Sequence, residues 1–376
     1  MKVAIIGGGI AGLTAAIALK KANIPFVVYE ASQEIKPVGA GIAIANNAMQ
    51  VYRYFGISNQ LNQRGMRIST IALTDAKLNI LTQSDLTPFE EKYQLANIAI
   101  HRSELHQVLL DQVGTEHILL DKRLDQIHRK ESGLYQLCFT DQSTSMHEYV
   151  IGADGIRSNI RQQFFGNYPL RDAHQVCWRG VLNFKLPEKY HNVALEGWGR
   201  GKRFGFVQLE KQQVSWYFLI NENDYSDTSE VRDHLFDCHP LVQEIIKQTA
   251  REAIFKDKIY DLSLLNEWHK DKICLIGDAA HATTPNFGQG ACQAIEDVYI
   301  ISKLLEQYSL ADTLKRFSSI RRSKAHTIVK DSWKLGQMAQ WSNPSYVAVR
   351  NSAFRILPAF AKNKQIQMMF ELQKVF

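Results

Sequence analysis

The sequence predicts an α/β fold: a parallel βαβ sheet interleaved with a mostly antiparallel β domain, followed by a helical C-terminus. Three observations predict it. The chain opens with a short apolar strand, a glycine-rich turn, a helix and a β-branched strand. Short buried strands recur before Gly152-Ala153-Asp154 and before Gly277-Asp278, while residues 176–220 are rich in strand signals and aromatics. From Gln289 onward the pattern is mostly helical.

The elements follow in order. Residues 2–6 read as a buried strand. Residues 10–22 read as a helix with Ile10, Leu13 and Ile17 on one face, stopped by Asn23 and Pro25. Residues 26–30 form a second, β-branched and aromatic strand, which completes a βαβ unit and implies a parallel sheet. Residues 46–55 look helical, and 67–82 alternate like a hairpin around Asp75-Ala76-Lys77. A further helix runs from near Ser103 to Gly114, a residue able to take the left-handed conformation that ends helices. Three strands joined by polar turns lie between 118 and 151, and residues 272–276 form another buried strand. With no repeat and no long linker, two domains that exchange strands are expected. Residues 1–66, 95–172 and 262–376 would form the cofactor domain, and 67–94 and 173–261 the substrate domain.

Hydrophobic residues make up 45% of the chain, enough for a large core. The net charge of +6 is scattered, so nucleic-acid binding by phosphate neutralisation is not expected, although the balance suits anionic cofactors. The five cysteines, at 138, 177, 238, 274 and 292, are widely spaced without C-x-x-C. That speaks against a disulfide framework or a zinc site and for free thiols in a reducing compartment. Residues 3–19 mimic a signal-peptide core, but Gly7, Gly8, Gly9 and Gly12 interrupt it and no cleavage site follows. No stretch reaches ~18 uninterrupted apolar residues. A soluble cytoplasmic protein is expected, a monomer or homodimer without stable membrane insertion.

Gly7-Gly8-Gly9-Ile10-Ala11-Gly12 fits G-x-G-x-x-G directly between strand and helix. One glycine permits the tight turn, one lets backbone approach a pyrophosphate, and one lets helix and strand pack closely. The helix N-terminus offers free N–H groups and the positive end of its dipole. Glu30, at the end of the second strand, can accept hydrogen bonds from ribose hydroxyls. A Rossmann-like dinucleotide site follows, but this motif alone does not separate FAD from NAD.

Two later segments do. Gly152-Ala153-Asp154-Gly155 precedes Ser158 and Arg161, and Gly277-Asp278-Ala279-Ala280-His281 runs on through Pro285-Asn286-Phe287-Gly288-Gln289-Gly290. With these, nearly the whole chain resembles the FAD-dependent aromatic hydroxylases of the para-hydroxybenzoate hydroxylase type. Within them it is most similar to urate-hydroxylase-, zeaxanthin-epoxidase- and salicylate-hydroxylase-like members. The resemblance implies FAD as cofactor, NADH or NADPH as electron donor, and O2. It implies transfer of the distal oxygen of a flavin C4a-hydroperoxide to an electron-rich ring or double bond. The implied FAD contacts are Gly7, Gly9, Ala11, Gly12, Glu30, Ala31, Arg102, Leu124, Asp154, Asp278, Pro285, Gly288, Gln289 and Gly290. Asp278 would hydrogen-bond the ribityl chain, Pro285 would wall the ring, and the helix after Gly290 would stabilise an anionic reduced flavin. Leu124 would lie beside adenine, and Asp154 near the pyrophosphate or serving the nicotinamide donor.

The substrate side rests on Trp178, Arg179, Trp198, Arg203, Phe204, Phe206, Trp216 and Phe218. Trp216, Phe218 and Ile220 alternate onto one strand face, which is either an apolar wall over the flavin or ordinary core. Arg203 is either the arginine that holds an anionic ring in urate-hydroxylase-like proteins or a solvated turn residue. Trp216 aligns where that subgroup has tyrosine. Trp216 and Arg203 are therefore the candidate catalytic residues, with a small aromatic molecule as substrate and no metal. His281 reads as a packing or capping residue, and His101, His106 and His117 as surface residues. The basic residues of 343–376 sit among Phe354, Ile356, Leu357 and Phe360, as a helix capping the cofactor domain or one lying on a membrane surface. A flavin dehydrogenase or reductase, a tetracycline-inactivating monooxygenase and a non-catalytic flavoprotein are the competing readings. No G-W-x-W-x-I-P halogenase signature is present.

Overall fold

The computed structural model describes residues 2–34 and 40–376. Its first layer is a six-stranded sheet in the order His269–Lys270, Ile273–Leu275, Val150–Gly152, Val3–Ile6, Phe26–Tyr29, Ile118–Leu119. All pairings are parallel except that of the His269–Lys270 edge. Strands drawn from four distant parts of the chain thus lie side by side. Their fully buried apolar runs are what a parallel sheet covered on both faces requires. The helices Ile10–Lys21 and Gly290–Leu305 cover it, and Leu310–Ala339 packs outside them.

The second body is a seven-stranded sheet, ordered Ile254–Leu262, Leu170–Asn183, Gln213–Asn221, Lys202–Gln208, Val193–Trp198, Thr70–Asp75, Ile80–Asp85. The expected hairpin is its edge, turned by Asp75, whose carboxylate accepts from the Lys77 and Asn79 amides. One face of this sheet packs on the helix Pro240–Gln248. The opposite face looks toward the cofactor body, since the Gly41 amide donates to Ser215 Oγ and Arg203 reaches Asn286. A small antiparallel sheet of Leu124–Arg129, Tyr135–Phe139 and Thr144–His147 flanks the parallel one. Among the described residues no helix is long and apolar enough to cross a membrane.

Candidate active site

The glycine turn is built as its sequence demands. Gly7 has φ 106°, in the left-handed region, and a Cβ there would fall 2.3 Å from the Ala153 carbonyl oxygen. A Cβ on Gly12 would fall 1.9 Å from the Gly7 oxygen, so strand end and helix meet only because both residues lack side chains. Glu30 Oε2 accepts from the Gly8 amide at 2.7 Å and Oε1 from Ser32 at 2.8 Å, with Ala31 half-exposed between them. His106, expected at the surface, donates Nε2–H to the Gly8 carbonyl at 2.7 Å and braces the turn from the neighbouring helix. His101 caps that helix by accepting from the Ser103 amide, and His117 packs on Phe26. Neither is simply a solvated side chain.

The other expected contacts gather around the same turn. Asp154 follows the strand beside Gly7. Its Oδ2 accepts from the Asn159 and Ile160 amides at 2.8 and 3.1 Å, while Oδ1 is buried without a partner. Burial raises its pKa, and hydrogen bonds from the next helix turn hold the rise back. Asn159 also donates to the Leu124 carbonyl, tying that strand to Asp154. Gly277 lies against Ala11 and Ala294, so both long helices converge where Asp278 begins. Asp278 is itself solvent-exposed; desolvation by the surrounding protein raises its pKa, and the charges of His281 and Arg102 pull it back.

The third segment turns at Pro285–Phe287 and Gly288, which has φ 62°. Pro285 and Gly288 are exposed, whereas Gln289 is buried and accepts from Asn47 and Gln293. Neither the helix starting at Ile10 nor that at Gly290 has a side-chain cap or an acidic residue in its first turn. Each therefore keeps unneutralised N–H groups and a positive end. Gly9 and Gly288 face open space, with nothing within 4 Å of an added Cβ. Bare backbone, two free helix ends, an orphaned Asp154 oxygen and the Asp278 carboxylate fit the pyrophosphate, ribityl chain and ring of FAD.

Beneath this segment lies a buried ionic network that the sequence did not disclose. Asp297 Oδ2 accepts from the Gly277 amide at 2.9 Å and from His281 Nε2 at 2.7 Å, and Oδ1 from Arg321 Nε at 2.9 Å. Burial works against the Asp297 carboxylate, but His281 and Arg321 outweigh it and hold its pKa below the usual range. His281 is thus a structural partner, consistent with a packing role.

The substrate sheet requires a correction. Trp216 does not face the cofactor body. Its indole N–H donates to Thr249 Oγ1 at 2.9 Å, and the ring packs with Phe204, Phe206, Phe218 and Ile220 against the helix Pro240–Gln248. The strand places alternate residues on the cofactor side: Ser215, Tyr217 and Leu219, opposite Val207, Gly205 and Arg203. Tyr217, one residue on, lies on the other face of the strand. Its ring lies over Gly205, where a Cβ would fall 2.4 Å away. Burial raises the Tyr217 pKa well above the usual phenol value, and the Glu196 charge adds to the rise.

Arg203 is 2% exposed, so it is no solvated turn residue. Its Nη1 donates to Asn286 Oδ1 at 2.7 Å and to Glu196 Oε1 at 3.3 Å, and Nη2 donates to Gln175 Oε1 at 3.1 Å. Glu196 also accepts from Trp198 Nε1 at 2.8 Å. Arg179 is instead paired with Asp257 at the sheet surface. Among the described residues, one grouping offers three closely spaced metal-type ligands: Asp172, His174 and Glu222. Glu222 already pairs there with Lys258.

A parallel-sheet glycine turn, a second aspartate-bearing loop and a covering substrate sheet define a dinucleotide-binding flavoprotein. Comparison with known proteins agrees. Residues 1–332 match the FAD binding domain family, and the chain belongs to it. It is 30% identical over 363 residues to an aurachin C monooxygenase/isomerase of Stigmatella aurantiaca, covering 95% of this chain and 94% of that protein. It is also 30% identical over 382 residues to the 2-heptyl-3-hydroxy-4(1H)-quinolone synthase of Pseudomonas aeruginosa, covering 98% of each. The fold matches that of Klebsiella pneumoniae HpxO complexed with FAD and uric acid, with TM-score 0.89 at 24% identity, over 98% of this chain and 96% of that one.

Proposed function

We propose that this protein is an FAD-dependent monooxygenase that takes electrons from NADH or NADPH, uses O2 and hydroxylates an uncharged heteroaromatic ring. The observation that carries the reading is the Arg203–Asn286 hydrogen bond, which sets a polar strand face directly against the flavin-shaped loop. FAD held there supplies the redox chemistry, accepting electrons from the nicotinamide and activating O2. The chain's own groups bind, orient and shield. Residues 67–94 and 173–261 present the ring substrate, and the remainder grips the cofactor. The Asp278 carboxylate would hold the ribityl hydroxyls, and the helix end at Gly290 would face the ring. The Tyr217 hydroxyl, kept protonated by burial and set against the Glu196 carboxylate, would turn from that carboxylate to donate to a ring carbonyl.

The substrate's charge follows from Arg203. In a site built for anions, its guanidinium would be free to pair with the ligand. Here Nη1 and Nη2 each donate to protein acceptors, Glu196 offsets the charge, and of the three nitrogens only Nε is left without a partner. A neutral ring suits that balance. One of the two relatives above supports it, being named for a quinolone, an uncharged bicycle. Five free cysteines suit the cytoplasm, where we place the protein, as a monomer or homodimer.

The test is NAD(P)H oxidation and O2 uptake by purified protein. Addition of an alkyl-4-quinolone is expected to stimulate both and yield a hydroxylated product, with urate a poor substitute. Protein that takes up no flavin would defeat the reading, and so would stimulation by anionic rings alone.

A further inference from the structure

The helix Pro344–Arg355 buries only Arg350 among its residues. Arg350 acts as a peg: Nη1 donates to the Ala339 carbonyl at 2.8 Å and Nη2 to the Gly199 carbonyl at 3.1 Å. Phe354 adds an edge contact to Trp198, with ring centroids 5.0 Å apart. On the outer face Tyr346 leans on Trp341, with ring centroids 5.7 Å apart, and the row is otherwise open to solvent. Tyr346, Val349 and Ile356 are 60%, 66% and 81% exposed, and Phe360, opening the next helix, is 75% exposed. Steps of three and seven residues put the first three on one side of the helix and its αR cap. Scattered exposed apolar residues are ordinary, but an aligned row is not.

The charge pattern says what covers it. No Asp or Glu occurs from residue 332 through 370, a span that carries Lys334, Arg350, Arg355, Lys362 and Lys364. Lys362 Nζ donates to Thr82 Oγ1 and the Gln83 carbonyl, both uncharged acceptors, so its charge is not cancelled. A second copy of this chain is a poor occupant. A two-fold contact would bring these cations together with no carboxylate of the same segment to oppose them. A surface offering hydrocarbon and phosphate together meets both halves of the pattern.

We propose that the helices Pro344–Arg355 and Ala359–Phe370 form a docking face for an anionic lipid bilayer, lying in its interface without crossing it. The exposed aromatic and aliphatic row enters the headgroup boundary, and Arg355, Lys362 and Lys364 meet lipid phosphates. The face adjoins the substrate sheet through Phe354, Trp198 and Glu196, so a docked enzyme carries that sheet close to the bilayer. This inference stands on the surface alone and survives a different substrate.

The experiment is co-sedimentation of full-length, flavin-loaded protein with phosphatidylcholine vesicles, with and without roughly a quarter phosphatidylglycerol. Binding is expected only with phosphatidylglycerol, and it should weaken at about 0.5 M salt. Ile356→Ser combined with Phe360→Ser should abolish it. Arg355→Gln and Lys364→Gln should each weaken it about fivefold. These side chains lie outside the site, so flavin content and turnover in solution should not change. Three results would overturn the proposal: no binding by loaded protein, equal binding to both vesicle types, or a dimer in light scattering that the serine pair dissociates.

Discussion

Glu196→Gln tests the substrate-charge argument most directly. The variant keeps an oxygen to accept from Trp198 Nε1 and from Arg203, but it removes the negative charge 3.3 Å from Nη1. The Glu196 side chain is 23% exposed and Arg203 2%, so the pair is neither fully screened nor fully dry. An anionic ring on the Arg203 side at roughly 5 Å from Glu196 meets about 3 kcal/mol of repulsion at an effective dielectric near 20. Partial exposure reduces that to about 1–3 kcal/mol, a preference for neutral over anionic rings of about fivefold to a hundredfold. The assay compares kcat/KM for a neutral quinolone and its carboxylate analogue, in wild type and variant, as a ratio in which folding losses cancel. The variant should shift the ratio toward the anion by that factor. Tyr217 should also titrate lower, though still above an ordinary phenol, because burial remains the larger cause of its rise. An unchanged ratio would show that Glu196 does not set the charge of the site.

Three further substitutions follow from the geometry. Asp297→Asn leaves Arg321, buried at 0% exposure, with Glu296 at 3.8 Å as its remaining carboxylate, and should cost about 1–3 kcal/mol, or roughly 1–4 °C in Tm, with loss of flavin as the Gly277 turn loosens. Because the Asp297 pKa is lowered on folding, its contribution is present above the ordinary aspartate range and is lost as pH falls through its lower folded value. The melting gap between wild type and variant should therefore close in acid, and a gap constant with pH would refute the ionic account. Tyr217→Phe should lower kcat/KM up to about tenfold with little change in Tm, and Trp216→Ala should destabilise by about 3–5 kcal/mol and leave the KM of the folded fraction unaltered. The reverse pattern would mean the strand faces are misassigned.

The cofactor half was legible because its signals are local. A strand, a turn that only glycine can make and a helix follow one another within residues 3–21, and Gly288 repeats the logic at φ 62°. The substrate half was not. Along Gln213–Asn221, the alternation put Trp216, Phe218 and Ile220 together but left open whether they wall the flavin or form ordinary core, and they pack as core on the helix side. This sheet is covered on both faces, so its most apolar face packs permanently on a helix. The face left for a ligand is the more polar one, with Ser215 and Tyr217. Asp297 with Arg321, and Glu196 with Arg203, were equally hidden, because no spacing rule announces pairs made by tertiary packing.

Asn286 shows how the two halves act together. Its Oδ1 accepts from Arg203 at 2.7 Å, while Nδ2 donates to Thr284 Oγ1 at 2.8 Å and to the Ser332 carbonyl at 2.7 Å. One amide thus joins the substrate sheet, the flavin loop and the long helix Leu310–Ala339. The helix makes room for it, since a Cβ at Gly336 would fall 2.3 Å from Nδ2. Arg203 is consequently a positioning residue before it is a ligand contact: its charge is balanced by Glu196, and its direction is fixed by the loop. A ring that displaced it would have to break the bond that sets the loop, which favours a substrate that leaves Arg203 in place and takes its hydrogen bond from Tyr217.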